Sequence, residues 1–125
     1  MAERSGGGPR RTDPRRALGE QGEARAARWY EERGWTVLDR NWRDGRRGEI
    51  DLVVARDGVV VICEVKARTS AAFGLPAEAI TPTKQARLRR LVGAWLAVHD
   101  VRARQVRFDV VAILGQEIQV IESAF

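Results

Sequence analysis

The stretch EIDLVVARDGVVVICEVKAR, residues 49–68, constrains the fold more than any other part of the chain. Two apolar runs rich in valine and isoleucine flank Asp57-Gly58, the strongest short signal for a two-residue hairpin turn. With that turn, Arg56 faces Val59, and counting back along both strands sets Asp51 opposite Glu64 and Glu49 opposite Lys66. Directly opposed residues share a sheet face, and so do residues two apart on one strand. Glu49, Asp51, Glu64 and Lys66 are therefore expected to project from one face as a compact square, with Ile50, Leu52, Val54, Val61, Cys63 and Val65 on the other. A slip of one residue would break this pairing.

Two carboxylates facing each other at about 5 Å repel by roughly 3 kcal/mol at an effective dielectric of about 20. A divalent cation between Asp51 and Glu64 turns that repulsion into attraction. The donors are hard oxygens, so the pattern points to Mg²⁺ or Mn²⁺ rather than zinc, with the peptide carbonyl of Val65 near enough to add a ligand. Lys66, one step along the same face, is placed to position a water, hold a phosphate oxygen and stabilise charge developing in a phosphodiester transition state. Lys66 and Lys84 are the only lysines among 22 basic residues. A lysine in so arginine-biased a chain fits a compact ammonium that exchanges protons, which the permanently charged fork of arginine does poorly. The competing reading is a half-exposed sheet face with ordinary cross-strand pairs, Glu49 with Lys66 for example. It leaves the opposition of Asp51 and Glu64 unexplained.

The rest of the chain reads as an α/β layer fold of order αβββαββ with a central mixed sheet flanked by helices. Asp13-Pro14 supplies an N-cap and first helical proline for a helix that runs to about Arg33 and stops at Gly34. The small residues Gly19, Gly22 and Ala26 let this helix lie close to a sheet. A first strand covers residues 35–41, residues 44–47 form a polar turn, and residues 68–81 form a loop. Thr81-Pro82 opens a second helix whose apolar stripe is Leu88, Leu91, Val92, Trp95 and Leu96. Residues 105–114 and 117–123 are the last two strands, joined at Gly115. Residues 1–13 read as a disordered basic tail and residues 14–125 as a single domain.

A formal charge of +5 over 125 residues favours an anionic partner, nucleic acid before an acidic membrane. Arg46, Arg47, Arg68, Lys84, Arg87 and Arg90 are the candidate phosphate contacts. No apolar run approaches a membrane span and no secretory signal follows the N-terminal arginines, so a cytoplasmic protein is expected. Cys63 is the only cysteine and sits in an apolar run, which excludes an intrachain disulfide and points to a buried, inert thiol. His99 is the only histidine, read as a solvated residue at the end of the second helix, so chemistry needing a histidine pair or a Ser-His-Asp triad is disfavoured. Glu23 faces two readings, a water-mediated metal ligand or a solvated helix acid. Gln85, at the start of the second helix's apolar stripe, either contacts the site or caps nearby backbone. Asp109 interrupts an apolar strand and is expected to be structural, paired with an arginine.

Asp51 with Glu64-Val65-Lys66 resembles the PD-(D/E)xK phosphodiesterase superfamily, although Ile50 stands where the namesake proline would be. The order, with an acid on the preceding helix, is similar to archaeal Holliday-junction resolvases. The set LGEQGEARA, RNWR, GEIDLVV, EVKAR, FG and RFDVV, over roughly residues 17–123, resembles the YraN-like family of small bacterial proteins. This resemblance implies a restriction-endonuclease-like core. It also implies that Asp51 and Glu64 bind metal, that Lys66 assists the attacking water, that Glu23 matches the helix acid, and that Gln85 takes the place of a site-facing polar residue. The implied function is a metal-dependent nuclease acting on DNA or RNA, structured or branched DNA in repair or recombination being one option, with DNA expected ahead of RNA as partner. The alternative is a non-catalytic nucleic-acid-binding protein of the same fold. A homodimer follows only by analogy with enzymes that act on symmetric junctions.

Overall fold

The computed structural model describes residues 13–69 and 80–125; the N-terminal tail up to residue 12 and most of the loop after the third strand lie outside them. The elements are α1 (Pro14–Glu31), β1 (Thr36–Arg43), β2 (Glu49–Arg56), β3 (Val59–Arg68), α2 (Pro82–His99), β4 (Gln105–Leu114) and β5 (Glu117–Ile121). They form one five-stranded sheet in the order β1-β2-β3-β4-β5. All neighbours are antiparallel except β3 and β4, which run parallel through the α2 crossover.

Local chemistry sets the element ends. Pro14 opens α1, and Gly34 takes φ +87° just past its C-terminal end, a conformation that costs glycine little. Thr81 caps α2 by accepting from the Lys84 amide at 3.2 Å, with Pro82 in the first turn. Asp57 and Gly58 both adopt positive φ, as a tight hairpin turn with the native twist requires.

Each helix covers one face of the sheet. On the α1 side, Ala26, Ala27 and Tyr30 pack on Leu52, Val54, Val61, Cys63, Ala67, Val111 and Ile113. On the α2 side, Leu88, Leu91, Val92 and Trp95 pack on Ile50, Val53, Val60, Ile62 and Phe108. Burying each large aliphatic or aromatic side chain contributes about 1.5–3 kcal/mol, so these two layers hold the sheet from both sides. Gly22 explains how α1 comes so near: a Cβ there would lie 2.9 Å from that of Ala67. Gly19 has no such constraint, since a Cβ there would meet nothing within 4 Å, so the close approach belongs to Gly22 and Ala26.

The hairpin register matches expectation from Arg56–Val59 to Leu52–Cys63, where the ladder ends. The expected alternation fails beyond that point. Ile50 joins the α2-side core while Leu52 joins the α1-side core, so residues two apart face opposite ways. The cause lies at the Asn41–Asp51 level. Asn41 takes φ +52°, and the pairs on either side, Arg40–Leu52 and Trp42–Ile50, keep their register while the faces change over. His99 is also not a solvated helix end. It stacks on Trp95 at 4.2 Å, with Nε2 3.2 Å from Asp39 Oδ2 and Nδ1 bonded to the Trp95 carbonyl oxygen at 2.8 Å. Cys63 is buried as expected.

Candidate functional site

Asp51 stands where the β2–β3 ladder opens. It does not pair with Glu64 through the backbone; its Oδ2 instead accepts the Val65 amide proton at 2.8 Å. The expected square of four charges is thus not formed. Glu49 pairs with Arg43, Oε2 to Nε at 3.2 Å, and lines a cleft on the α1 side. Lys66 Nζ lies 3.0 Å from Glu64 Oε1, with both side chains little exposed. β3 alternates regularly, with Val61, Cys63, Val65 and Ala67 toward α1, so Glu64 and Lys66 face the α2 side.

Asp51 is consequently the hub between two groups of acids. Burial first, and then Glu64, Glu23 and Glu49, push its carboxyl up to about 7, against a partial offset from the Val65 amide. Glu23, 9% exposed on α1, is also raised, by burial and by Glu49 and Glu20, with its side-chain bond to Asn41 and the charge of Arg40 pulling the other way. It lines a cleft of about 390 Å³ together with Arg16, Gly19, Glu20, Asn41, Arg43 and Glu49. Glu23 is therefore not a solvated helix acid. Asn41 is the participant that sequence reasoning missed; its signal was an asparagine, tolerant of positive φ, in the middle of a strand.

The raised Asp51 carboxyl makes its own pH-dependent contribution to the stability of the metal-free chain. An unfolded aspartate ionises near its ordinary value of 3.8, whereas folded Asp51 holds its proton to about 7. Folded Asp51 holds more proton across that interval, so its contribution to stability is greatest at the acid end and is lost as pH rises from about 4 to about 7. The denaturant midpoint of wild type relative to Asp51→Asn, measured in EDTA, should decline across this range. A wild-type midpoint that rises relative to Asp51→Asn through the window contradicts this environment.

Gln85 donates to the Ile80 carbonyl oxygen at 3.5 Å, which is the backbone-capping alternative. It makes no hydrogen bond to Asp51, Glu64 or Lys66 among the described residues. Among the basic candidates, Arg47, Arg87 and Arg90 line one pocket of about 340 Å³ with Asp44 and Leu91. Lys84 lies in the first turn of α2 and Arg68 ends β3, its guanidinium bonded to the Ala67 carbonyl. Arg46 is exposed in the β1–β2 turn. Asp109 is structural as expected: fully buried, it pairs with Arg107 at 2.9 Å.

No three His, Cys, Asp or Glu side chains converge as a metal-binding group among the described residues. The donor set available at the ladder's end is two carboxylates, Asp51 and Glu64, with the Val65 carbonyl between Glu64 and Lys66 in sequence. These are hard oxygen donors, and Asp51 carries an electrostatic load that a cation relieves, so the residues present fit Mg²⁺ or Mn²⁺.

The uncharacterised protein family UPF0102 matches residues 22–113, most of the described fold. The chain belongs to the UPF0102 family. The UPF0102 protein of Beutenbergia cavernae is 58% identical over 99 residues, covering 78% of this chain and 82% of the relative. That of Kineococcus radiotolerans is 59% identical over 103 residues, covering 81% and 83%. The UPF0102 protein of Streptomyces coelicolor is 50% identical over 110 residues, covering 86% and 84%. These relatives are bacterial. The span matched by the UPF0102 family takes in Glu23, Asn41, Asp51, Glu64, Lys66, Arg87 and Arg90, so both the acids and the basic pocket lie inside it. No helix among the described residues is long and apolar enough to cross a membrane.

Proposed function

We propose that this UPF0102 protein is a Mg²⁺- or Mn²⁺-dependent phosphodiesterase of the cytoplasm that hydrolyses nucleic acid, DNA ahead of RNA, with branched or otherwise structured DNA as the favoured substrate. One observation carries the reading. Asp51 sits at the end of an opened ladder, its carboxyl raised by burial and by Glu64, while a lysine rests on Glu64. An interaction surface gains nothing from gathering acids around a half-buried aspartate in a basic chain. A hydrolytic site does.

In this reading Asp51, Glu64 and the Val65 carbonyl hold the cation, with Glu23 reaching it through water. When bound, the cation supplies charge neutralisation and Lewis-acid polarisation of the phosphoryl group. Lys66 keeps Glu64 in place in the metal-free chain and presents its remaining N–H groups to a phosphoryl oxygen. The positive charge then offsets the charge that develops as water oxygen bonds to phosphorus and the P–O bond to the leaving sugar breaks. The leaving oxygen takes up a proton and the attacking water gives one up. Among the described residues no ladder of exposed aromatic side chains is available for base stacking, which supports recognition through backbone and shape.

The test is cleavage of a panel of labelled substrates: single-stranded DNA, duplex, nicked duplex, four-way junction and the RNA counterparts. Metal-dependent cutting that stops on chelation is expected, strongest on a DNA member. No cutting of any member in Mg²⁺ or Mn²⁺ overturns the reading.

A further inference from the structure

The pocket lined by Asp44, Arg47, Arg87, Arg90 and Leu91 is separate from the acids, and the hydrolytic reading makes no use of it. Its position follows from topology. β3 and β4 are parallel, so α2 must run back along the sheet between them, and its first turns stand at the end of β3 that carries Glu64 and Lys66. β2 is antiparallel to β3, so the turn that precedes Glu49 stands at that same end. Arg47 from this turn thereby meets Arg87 and Arg90, which lie three apart on one helix face.

The pocket is built rather than incidental. Gly48 takes φ +137°, and a Cβ there would lie 3.1 Å from Leu91 Cδ1 and 3.5 Å from Arg87 Cδ. The turn thus lies against Leu91 and the aliphatic stem of Arg87. Three guanidiniums share the hollow with one carboxylate, and Asp44 already pairs with Arg47 at 3.4 Å. Arg87 and Arg90 make no ion pair with any described residue. Their mutual repulsion is relieved by an anion, and planar donor forks suit phosphate oxygens.

We propose that this pocket binds a non-scissile backbone phosphate of DNA and so sets the path by which a strand reaches Lys66. The proposal rests on the phosphodiesterase reading, since a single polyanion then satisfies both the pocket and the site at one end of the sheet. Charge complementarity and this shared end favour nucleic acid over an acidic protein segment.

The experiment is anisotropy titration of fluorescein-labelled duplex and four-way-junction DNA with the full chain in EDTA, over a range of salt concentrations. It compares wild type, Arg87→Ala/Arg90→Ala, and Arg28→Ala/Arg102→Ala as a charge-matched control on exposed residues elsewhere. Loss of one phosphate contact should reduce the slope of log K against log salt by about 0.9 on duplex. Affinity should fall about tenfold to 100-fold in the pocket variant, the scale of a lost charged hydrogen bond. The control should keep the wild-type slope. Thermal melting checks that each variant folds, and Arg90→Gln alone carries the test should the double variant not fold. If wild type binds DNA and the pocket variant matches it in slope and affinity, the pocket assignment is wrong while the hydrolytic reading stands. If wild type binds no DNA even at low salt, both fall. If polyglutamate competes as well as unlabelled DNA, the pocket takes an acidic protein and the proposal is overturned.

Discussion

Lys66→Ala is expected to slow metal-dependent cleavage by about 100-fold, the scale set by removing one well-placed donor from a developing anion. The side chain is only 18% exposed and sits 3.0 Å from Glu64 Oε1. Removing it leaves Glu64 beside Asp51 without its counter-ion, so the metal-free chain should melt lower and respond more strongly to added Mg²⁺. DNA binding should be largely unchanged, because the proposed phosphate contacts lie on Arg47, Arg87 and Arg90. Lys66→Arg should restore the melting temperature better than the rate, since the fork replaces the charge but is bulkier and gives up a proton poorly. Asp51→Asn, which removes a proposed ligand, sets the background of the assay. A merely structural ion pair gives another pattern: stability falls in Lys66→Ala, the rate holds, and arginine substitutes freely. Full cleavage by both Lys66 variants contradicts the catalytic role.

Asp109→Ala should cost about 3–5 kcal/mol of stability, the range for breaking a buried charged pair from one side. Asp109 is 0% exposed and accepts four hydrogen bonds: from Tyr30 Oη at 2.7 Å, from Arg107 Nε and Nη2 at 2.9 Å each, and from the Ser123 amide at 3.0 Å. It therefore ties α1, β4 and the segment after β5 to one carboxylate. Burial, together with Cys63 and Asp109, pushes the Tyr30 hydroxyl far above its usual range, so Tyr30 remains a donor. Without Asp109, the buried Tyr30 hydroxyl loses its acceptor and Arg107 keeps only Glu122, 3.7 Å away, as an anionic partner among the described residues. Tyr30→Phe should cost less, about 1–2 kcal/mol, since three of the four bonds to Asp109 survive. Equilibrium denaturation measures both. A loss below about 1 kcal/mol for Asp109→Ala contradicts this account of the tie.

The order of elements was legible because its signals are local. Asp57-Gly58 sets the hairpin, Pro14 and Thr81-Pro82 open the helices, and the Leu88–Trp95 stripe has the helical period. The parallel pairing of β3 with β4 follows from the intervening helix. The candidate site residues Asp51, Glu64 and Lys66 were read from the sequence, but their arrangement was not. Strict alternation assumes an unbroken ladder, and the ladder ends once the Asp51 side chain takes the Val65 amide. The positive φ of Asn41 then accompanies a change of face that moves Ile50 to the other core and Glu49 to the α1-side cleft. Partner choice was equally hidden: Glu49 takes Arg43 and Lys66 takes Glu64, contacts decided by this local break rather than by register. Asp39 is a similar case. It lies in an edge strand, yet its carboxylate receives the Trp95 indole at 2.9 Å and faces His99, which only the packing of α2 could show.

In the proposed function, Asp51 and Glu64 jointly hold a divalent cation where the β2–β3 ladder opens. Thermal melting under Mn²⁺ titration, at a pH above about 7 where Asp51 is ionised, tests it most directly. A ligand that binds only the folded chain raises its stability by RT ln(1 + [L]/Kd), so a hundredfold excess over Kd adds about 2.7 kcal/mol. Wild type should show a saturable rise in melting temperature, and Glu64→Gln and Asp51→Asn should each lose it while still folding. An equal rise in wild type and in both variants contradicts the claim.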